Sequence, residues 1–422
     1  MFWHKIDTHH QKIVMLLMIF VVLLSSIIVL SYSNYFLLGD PLRPNNDDVK
    51  YIQSARLFLN EGVLAYNTGN LPSAFIMPGM TLVLAGFMSI FGQGEAAIIA
   101  FRLFQVLEQA LCIYLIYWLG KRFFNVRVGV IASIVSAFYL PDYFTAGVIL
   151  SEMTFRTLLL LLICATVIAL ERKQAIWYMW IGLIVALAAY LKPQISLYPA
   201  ILLLLWWRDR LPWRQMIKFI CLLGAVYIVC LLPWWIRNYN VFHELIIFTN
   251  SGGSPFLLGT RIYNMMPPAD FFAAHPQYSP DTLFNGADKA AIAKGKDILI
   301  YGFTHEPLKY VYWYTIGKLV DLYMQPFYWK AIFGISIPVV YVLQIILTSV
   351  SIVGIFKTVR NRVTGLLPLY LILIYLTGIY MPFIAFSRYG YPNMSLLILF
   401  AAYYVVQKKD KIKNKPPMPI SI

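Results

Sequence analysis

Ten stretches of this chain are apolar over lengths that cross a bilayer or nearly do. They lie near residues 12–32, 97–119, 128–141, 152–170, 176–191, 194–207, 216–235, 332–356, 364–380 and 390–406. A hydrocarbon core of about 30 Å takes roughly 20 helical residues, and backbone groups inside it must be satisfied within the segment, so such runs fold as helices. An eleventh run, 76–91, is less clear. With 60% hydrophobic and only 13% charged residues, the 422-residue chain lies outside the soluble globular range and reads as an all-α polytopic membrane protein. The first run is too long for a signal-peptide core and lacks a small-residue cleavage site, so it is expected to be a retained helix.

The net charge of +15 does not point to nucleic acid, because the cations fall in short clusters between apolar runs and not on one face. Lys121-Arg122-Arg127, Arg172-Lys173, Arg208-Arg210-Arg214, Lys357-Arg360-Arg362 and the tail KKDKIKNK read as cytoplasmic loops. Ten crossings place all of them inside with Lys5 and Lys12. Counting 76–91 as a full span would put the tail on the opposite side, so that stretch is expected to be re-entrant or juxtamembrane. Two long loops, 33–96 and 236–331, then lie outside. The expected division is an N-terminal transmembrane module, 1–235, whose first outer loop carries the chemistry. A large outer loop with juxtamembrane helices follows at 236–331, then C-terminal transmembrane helices at 332–407 and a basic cytoplasmic tail at 408–422. The segment HEPLKYVYWYTIGKLVDLYMQ, from His305, alternates Tyr and Trp with Lys in a manner that suits a helix at headgroup level.

Four cations stand at outer helix ends, where orientation rules do not require them. They are Arg102, Lys192 in YLKPQ, Arg237 after LLPWWI and Arg388 in AFSRYGYP. Each alone could snorkel to headgroups or pair with a local acid. Together on one leaflet they favour an anionic ligand such as a phosphate or pyrophosphate. The acids on that face are Asp47, Asp48, Asp142 and Glu152, with Asp40 and Glu61 nearby. Glu152 and Arg156, one turn apart, read either as a local ion pair or as part of a site. Asp142 follows Pro141 and reads as a turn cap. Asp47 and Asp48 precede VKYIQSARLFLNEG, which has helical spacing, so capping is their plain role. An Asp there is equally well placed to act as general base on an acceptor hydroxyl while cations stabilise a phosphate leaving group.

Other chemistries lack support. The six histidines form no HxH or HExxH pattern, and there is no Walker A motif, GxSxG or dinucleotide fingerprint. The four cysteines, Cys112, Cys164, Cys221 and Cys230, lie in apolar runs without metal-ligand spacing and imply no disulfide framework. No cofactor is certain. A divalent cation, Mg or Mn, would have Asp47 and Asp48 as its candidate ligands, although two adjacent carboxylates do not establish a site.

These features resemble the GT-C class of integral-membrane glycosyltransferases, in particular the bacterial branch of the protein O-mannosyltransferase family (family 39), which is related to the lipid A aminoarabinose transferase. DDVKYIQSARLFLNEG is similar to that family's first-loop pattern, which assigns Asp47 as the catalytic aspartate, Asp48 as the second acid and Tyr51 to the substrate site. FIMPGMTLVLAGFMSIFG resembles its next segment with one proline, Pro78, where two are usual. FRLFQVLEQALCIYLIYWLGKRFF carries a phosphate-binding role to Arg102, LSEMTF an outer Ser-Glu to Glu152, and YLKPQ a basic residue to Lys192. PWWIRNYNVF, followed by TNSGG and LLGT, covers Arg237 and Asn238, with Thr260 where Asn is frequent. SRYGYPNMSLLILF covers Arg388 and Tyr389. The resemblance implies a GT-C-like bundle of about ten transmembrane helices in the bacterial cytoplasmic membrane. It implies transfer of a hexose or pentose from a polyprenyl-phosphate donor to a glycan, lipid or protein acceptor at the outer face. The alternative is a transporter or flippase of an anionic lipid-linked sugar, which explains the acids less well because the spans are almost free of charge at their centres, Glu108 excepted. A structural scaffold leaves the outer cations unexplained.

Overall fold

The computed structural model describes residues 2–43, 45–284 and 288–413, so the end of the basic tail lies outside the described residues. The described chain is helical, with two isolated bridges, Asp40 to Arg43 and Ile332 to Ile335. All ten apolar runs are helical. They form Phe2–Ser31, Glu95–Phe123, Val126–Ala137, Glu152–Arg172, Ala175–Leu191, Pro199–Arg208, Trp213–Phe242, Ile337–Arg360, Leu367–Gly378 and Met394–Lys413. Among the described residues, five helices are long and apolar enough to cross a membrane alone, or six if Val126–Ala137 and Leu140–Gly147, bent by 55°, make one span. The expected ten crossings are therefore not matched by ten full-length helices. Proline accounts for one shortfall. Pro193 opens the 3₁₀ turn Pro193–Leu197 and Pro199 opens the helix Pro199–Arg208, each lacking the N–H that would continue the preceding ladder.

The eleventh run forms the 13-residue helix Gly79–Phe91, about 20 Å long and too short for a hydrocarbon core. Its first residue packs on the backbone of Tyr190 and on Leu191, next to Lys192. Just past its other end, Gln93 bonds Arg56 and Asn60, and Glu95 accepts from Ser33. Lys192 and Ser33 both follow helices that end on the same side of the bundle, so this segment begins and ends there. The basic clusters gather at the opposite end. Arg127 bonds Asp7 and lies over Trp3, Lys409 also lies over Trp3, and Arg122 pairs with Glu171. The helix Glu152–Arg172 thus joins a basic end to a second end, about 30 Å away, where Glu152 meets Lys192 and Arg388.

Close backbone crossings hold the bundle together. A Cβ on Gly120 would lie 2.6 Å from the Gly129 Cα, and one on Gly354 would lie 2.1 Å from the Phe400 carbonyl oxygen. Glycine at these two crossings lets dispersion contacts form where apolar lipid supplies no hydrophobic drive between helices. The late loop has its own small core, in which Leu257, Ile262, Phe271, Leu283, Ile298, Tyr310 and Trp313 pack together. Its segment from Pro307 to Tyr323 is helical around a π-helical turn, Trp313–Gly317. Lys318 is fully buried and ties this segment to the main chain of the last third of the protein, donating to the carbonyls of Met381 at 2.6 Å and Phe383 at 2.7 Å.

Arg156 does not pair with Glu152, as the one-turn spacing suggested. It points into the bundle and pairs with Asp142, both side chains being fully buried. Asp142 is consequently more than a turn cap. Arg156 also donates to Ser395 at 2.6 Å and to the Tyr391 hydroxyl at 2.9 Å, while that hydroxyl donates to Asp142 at 2.9 Å. Removing one member strands the other charge inside the bundle. We expect Asp142→Asn or Arg156→Met each to cost about 3–5 kcal/mol, with Asp142→Leu/Arg156→Met costing much less than the sum of two single changes, measured as thermal unfolding in detergent.

Candidate functional site

Asn46 caps the helix Asp47–Glu61, its side chain accepting from the Asp47 amide at 2.7 Å, and Gly62 ends it in the left-handed region at φ +70°. The two aspartates therefore occupy the first helical turn, about 100° apart around the axis, and their carboxylates diverge. Asp48 is buried and turns back to the preceding loop, where it accepts from the amides of Leu38 at 2.5 Å and Gly39 at 3.2 Å. Asp47 turns the other way, into a cavity of about 300 Å³ walled by Tyr51, Tyr66, Lys192, Arg388 and Tyr389.

Both Asp47 oxygens are engaged. Oδ1 accepts from the Tyr66 hydroxyl, and Oδ2 accepts from Arg388 Nη1 at 2.6 Å. The same guanidinium donates through Nε to Glu152 Oε1, which also accepts from Lys192 Nζ at 2.9 Å. The order Asp47–Arg388–Glu152–Lys192 thus alternates in sign across the cavity wall. Glu152 Oε2 is buried with no hydrogen-bond partner in this arrangement. The Lys192 ammonium lies 4.9 Å over the Tyr389 ring, and Tyr389 stacks on Tyr380 with centroids 4.9 Å apart. Burial alone would lift the Asp47 carboxyl, but the Arg388 charge, followed by the Tyr66 hydroxyl and Lys50, holds it below the ordinary aspartate range. Burial pulls the Lys192 ammonium below the usual lysine value, with Glu152 opposing the shift.

Of the four outer cations, Lys192 and Arg388 come together on this cavity, while Arg102 and Arg237 stand apart from it. Arg102 donates to the Gly147 carbonyl at 2.6 Å and to Ser33 Oγ at 3.2 Å, beside a separate cavity of about 190 Å³. Arg237 donates to the carbonyls of Ser73 at 2.9 Å and Leu64 at 3.0 Å, and Asn238 to that of Ile246 at 2.9 Å. The two Arg237 bonds tie down the 63–75 loop, which carries Tyr66. Sequence reasoning did not find Tyr66 or the true partner of Glu152. Tyr66 lies in an irregular loop, where no periodicity marks which side chain turns inward. Glu152 and its partners are far apart in the chain, out of reach of a spacing argument. Among the described residues no three His, Cys, Asp or Glu side chains stand together as a metal cluster, and the divergence of Asp47 from Asp48 gives them no shared coordination point.

The architecture is the GT-C fold of integral-membrane glycosyltransferases. The family model described as dolichyl-phosphate-mannose-protein mannosyltransferase matches residues 75–236. Two solved oligosaccharyltransferase structures from Archaeoglobus fulgidus, the first of them of AglB, are similar over most of this chain. One, in complex with an inhibitory peptide and a dolichol-phosphate, has a TM-score of 0.56 at 14% identity and covers 96% of this chain and 51% of its own. The other, an apo form, has a TM-score of 0.58 at 14% identity, with coverage of 94% and 51%. ArnT from Cupriavidus metallidurans bound to undecaprenyl phosphate matches at a TM-score of 0.41 and 17% identity, with coverage of 94% and 79%. The chain spans about half the length of these two oligosaccharyltransferases. No curated protein matches its sequence.

The depressed value of Asp47 fixes the sign of its pH dependence. The Asp47–Arg388 contact adds stability above the unfolded carboxylate value, and this is lost as pH falls through the lower folded value. In acid thermal-unfolding profiles, we expect Asp47→Asn to show a flatter decline than the wild type below the ordinary carboxylate range.

Proposed function

We propose that this protein transfers a sugar from a polyprenyl-phosphate-linked donor to an acceptor hydroxyl at the outer membrane surface, with Asp47 as general base. The observation that carries this reading is the carboxylate of Asp47 held at a cavity edge between Tyr66 and Arg388, with Lys192 on the same cavity. A base needs hydrogen-bond reach to the hydroxyl it deprotonates and a fixed orientation. Each carboxylate oxygen carries two lone pairs, so Asp47 can accept an acceptor hydroxyl without releasing either present partner.

In the proposed step the acceptor oxygen attacks the anomeric carbon, the bond from that carbon to the phosphate oxygen breaks, and Asp47 takes the acceptor proton. The electron pair of the broken bond leaves on the polyprenyl phosphate, and a single displacement inverts the anomeric centre. Lys192 and Arg388 are the proposed partners of the departing phosphate, which gains charge as the bond lengthens, so their hold tightens toward the transition state. Glu152 keeps the two cations side by side and limits their mutual repulsion. Tyr51 and Tyr389 would line the sugar. Arg237 and Asn238 tie down loops around this cavity, Arg102 lies beside a separate one, and Asp48 fixes the start of the helix from which Asp47 projects. Water in place of the acceptor would give hydrolysis by the same groups. A resident Mg or Mn would need ligands beyond the divergent aspartates, and no step here is routed through one.

Turnover of a radiolabelled polyprenyl-phosphate-sugar pool by membranes containing the chain tests this reading. Asp47→Asn is expected to lower turnover by about a hundred- to ten-thousand-fold with donor binding kept. Lys192→Ala is expected to weaken donor binding, and added chelator reads metal dependence directly. Unchanged turnover in Asp47→Asn would return that residue to helix capping and overturn the proposal.

A further inference from the structure

A second, larger cavity of about 720 Å³ runs along the outer face of the helix Asp47–Glu61 and the loop after it. Its volume falls within the roughly 300–1,000 Å³ of small-ligand sites. Gln53 and Asn60, two helical turns apart, face it from the helix, Asn67 and Asn70 face it from the loop, and Lys50 and Tyr66 line its inner end. Tyr66 and Asn67 belong to both cavities, so the groove and the Asp47 site share a wall. The Tyr66 hydroxyl reaches through that wall to Asp47, while the Lys50 ammonium lies 5.6 Å over the Tyr66 ring. Asn67 adopts a left-handed backbone, φ +60°, a conformation that Asn accepts more readily than most residues and that sets its side chain at the junction.

The chemistry of these walls selects a class of ligand. Carboxamides present a donor and an acceptor side by side, which matches the paired donor and acceptor capacity of neighbouring sugar hydroxyls. The aliphatic side chains on the groove are Leu57 and Ala65, set among more numerous polar ones, and the described residues offer no strand edge to which a peptide could add. Resting on the transferase reading above, we propose that this groove binds the acceptor and that the acceptor is a hydroxyl-rich glycan, laid along Gln53, Asn60 and Asn70 so that its terminal hydroxyl passes between Lys50 and Asn67 onto Asp47. The groove enters the site from the side of Tyr66, and the donor phosphate is assigned to the side of Lys192 and Arg388. The two substrates thereby approach Asp47 from different directions, as a single displacement requires.

The full chain, purified in detergent, is titrated in saturation-transfer NMR with short linear and branched oligosaccharides, and separately with unstructured peptides. Turnover of the labelled donor by water is followed in the same preparations. Oligosaccharide binding is expected in the wild type and in Asp47→Asn. It should be about tenfold weaker in Gln53→Ala/Asn70→Ala and abolished by the plug Gln53→Trp. Both groove variants alter exposed side chains, and size-exclusion elution checks their folding. Donor turnover by water should be unchanged in them and lost in Asp47→Asn. Absence of oligosaccharide binding, binding that ignores the groove variants, or peptide binding that the plug blocks would each overturn the groove assignment. Donor turnover that ignores Asp47→Asn would instead overturn the transferase reading, whatever the groove binds.

Discussion

Arg388 is the constraint on which the site depends. Its guanidinium reaches Asp47, 341 positions earlier, and Glu152, 236 positions earlier, so one side chain fixes the first loop against a central helix from near the end of the chain. Charges at the edge of a low-dielectric bundle are costly unless each has a partner, which makes the alternating row from Asp47 to Lys192 mutually dependent. The buried Asp142–Arg156 pair repeats the principle within the same bundle, joining the bent segment, the helix Glu152–Arg172 and the start of the last helix. The two networks share that helix, one at its first residue and the other one turn on. Placement of Glu152 therefore follows from packing as well as from its own ion pairs.

Much of the bundle was legible in the sequence because hydropathy over twenty residues is a strong signal and bilayer thickness a strict ruler. All ten apolar runs became helices, and both ends of Gly79–Phe91 lie on one side, as the balance of basic loops implied. The number of full crossings was less legible, since Pro193, Pro199 and the break between Ala137 and Leu140 divide apolar stretches without changing their hydropathy. At the candidate site, charge in unexpected places was the signal, and the structure joins four of the residues it singled out, Asp47, Glu152, Lys192 and Arg388, in one row. It did not tell which cations would share that cavity: Arg237 donates to main-chain carbonyls, and Arg102 lines a separate cavity with Nη2 buried and without a hydrogen-bond partner. Cations that face different cavities look alike in one dimension. The same holds for DD, where neighbouring carboxylates are sent in opposite directions by helical rotation alone.

The late loop illustrates a different principle. A connector of its length has to bury something of its own to stay ordered, and its aromatic and aliphatic residues do so in a core separate from that of the bundle. Lys318 then fastens this small unit to the carbonyls of Met381 and Phe383, a few residues before Arg388. The cation at the centre of the candidate site is in this way supported by a unit with a core of its own.

The position of Arg388 in the chain also sets a schedule. A chain made from its N-terminus inserts the helix of Glu152 and the loop of Asp47 long before the segment that carries Arg388 exists. Until that last segment docks, Asp47 lacks its guanidinium partner and Lys192 holds Glu152 alone. The cavity wall is completed only when the short helix Ser387–Gly390 is in place, so a chain interrupted before it carries the carboxylate without the charge that positions it. Closure of the candidate site thus waits on the segment that carries Arg388.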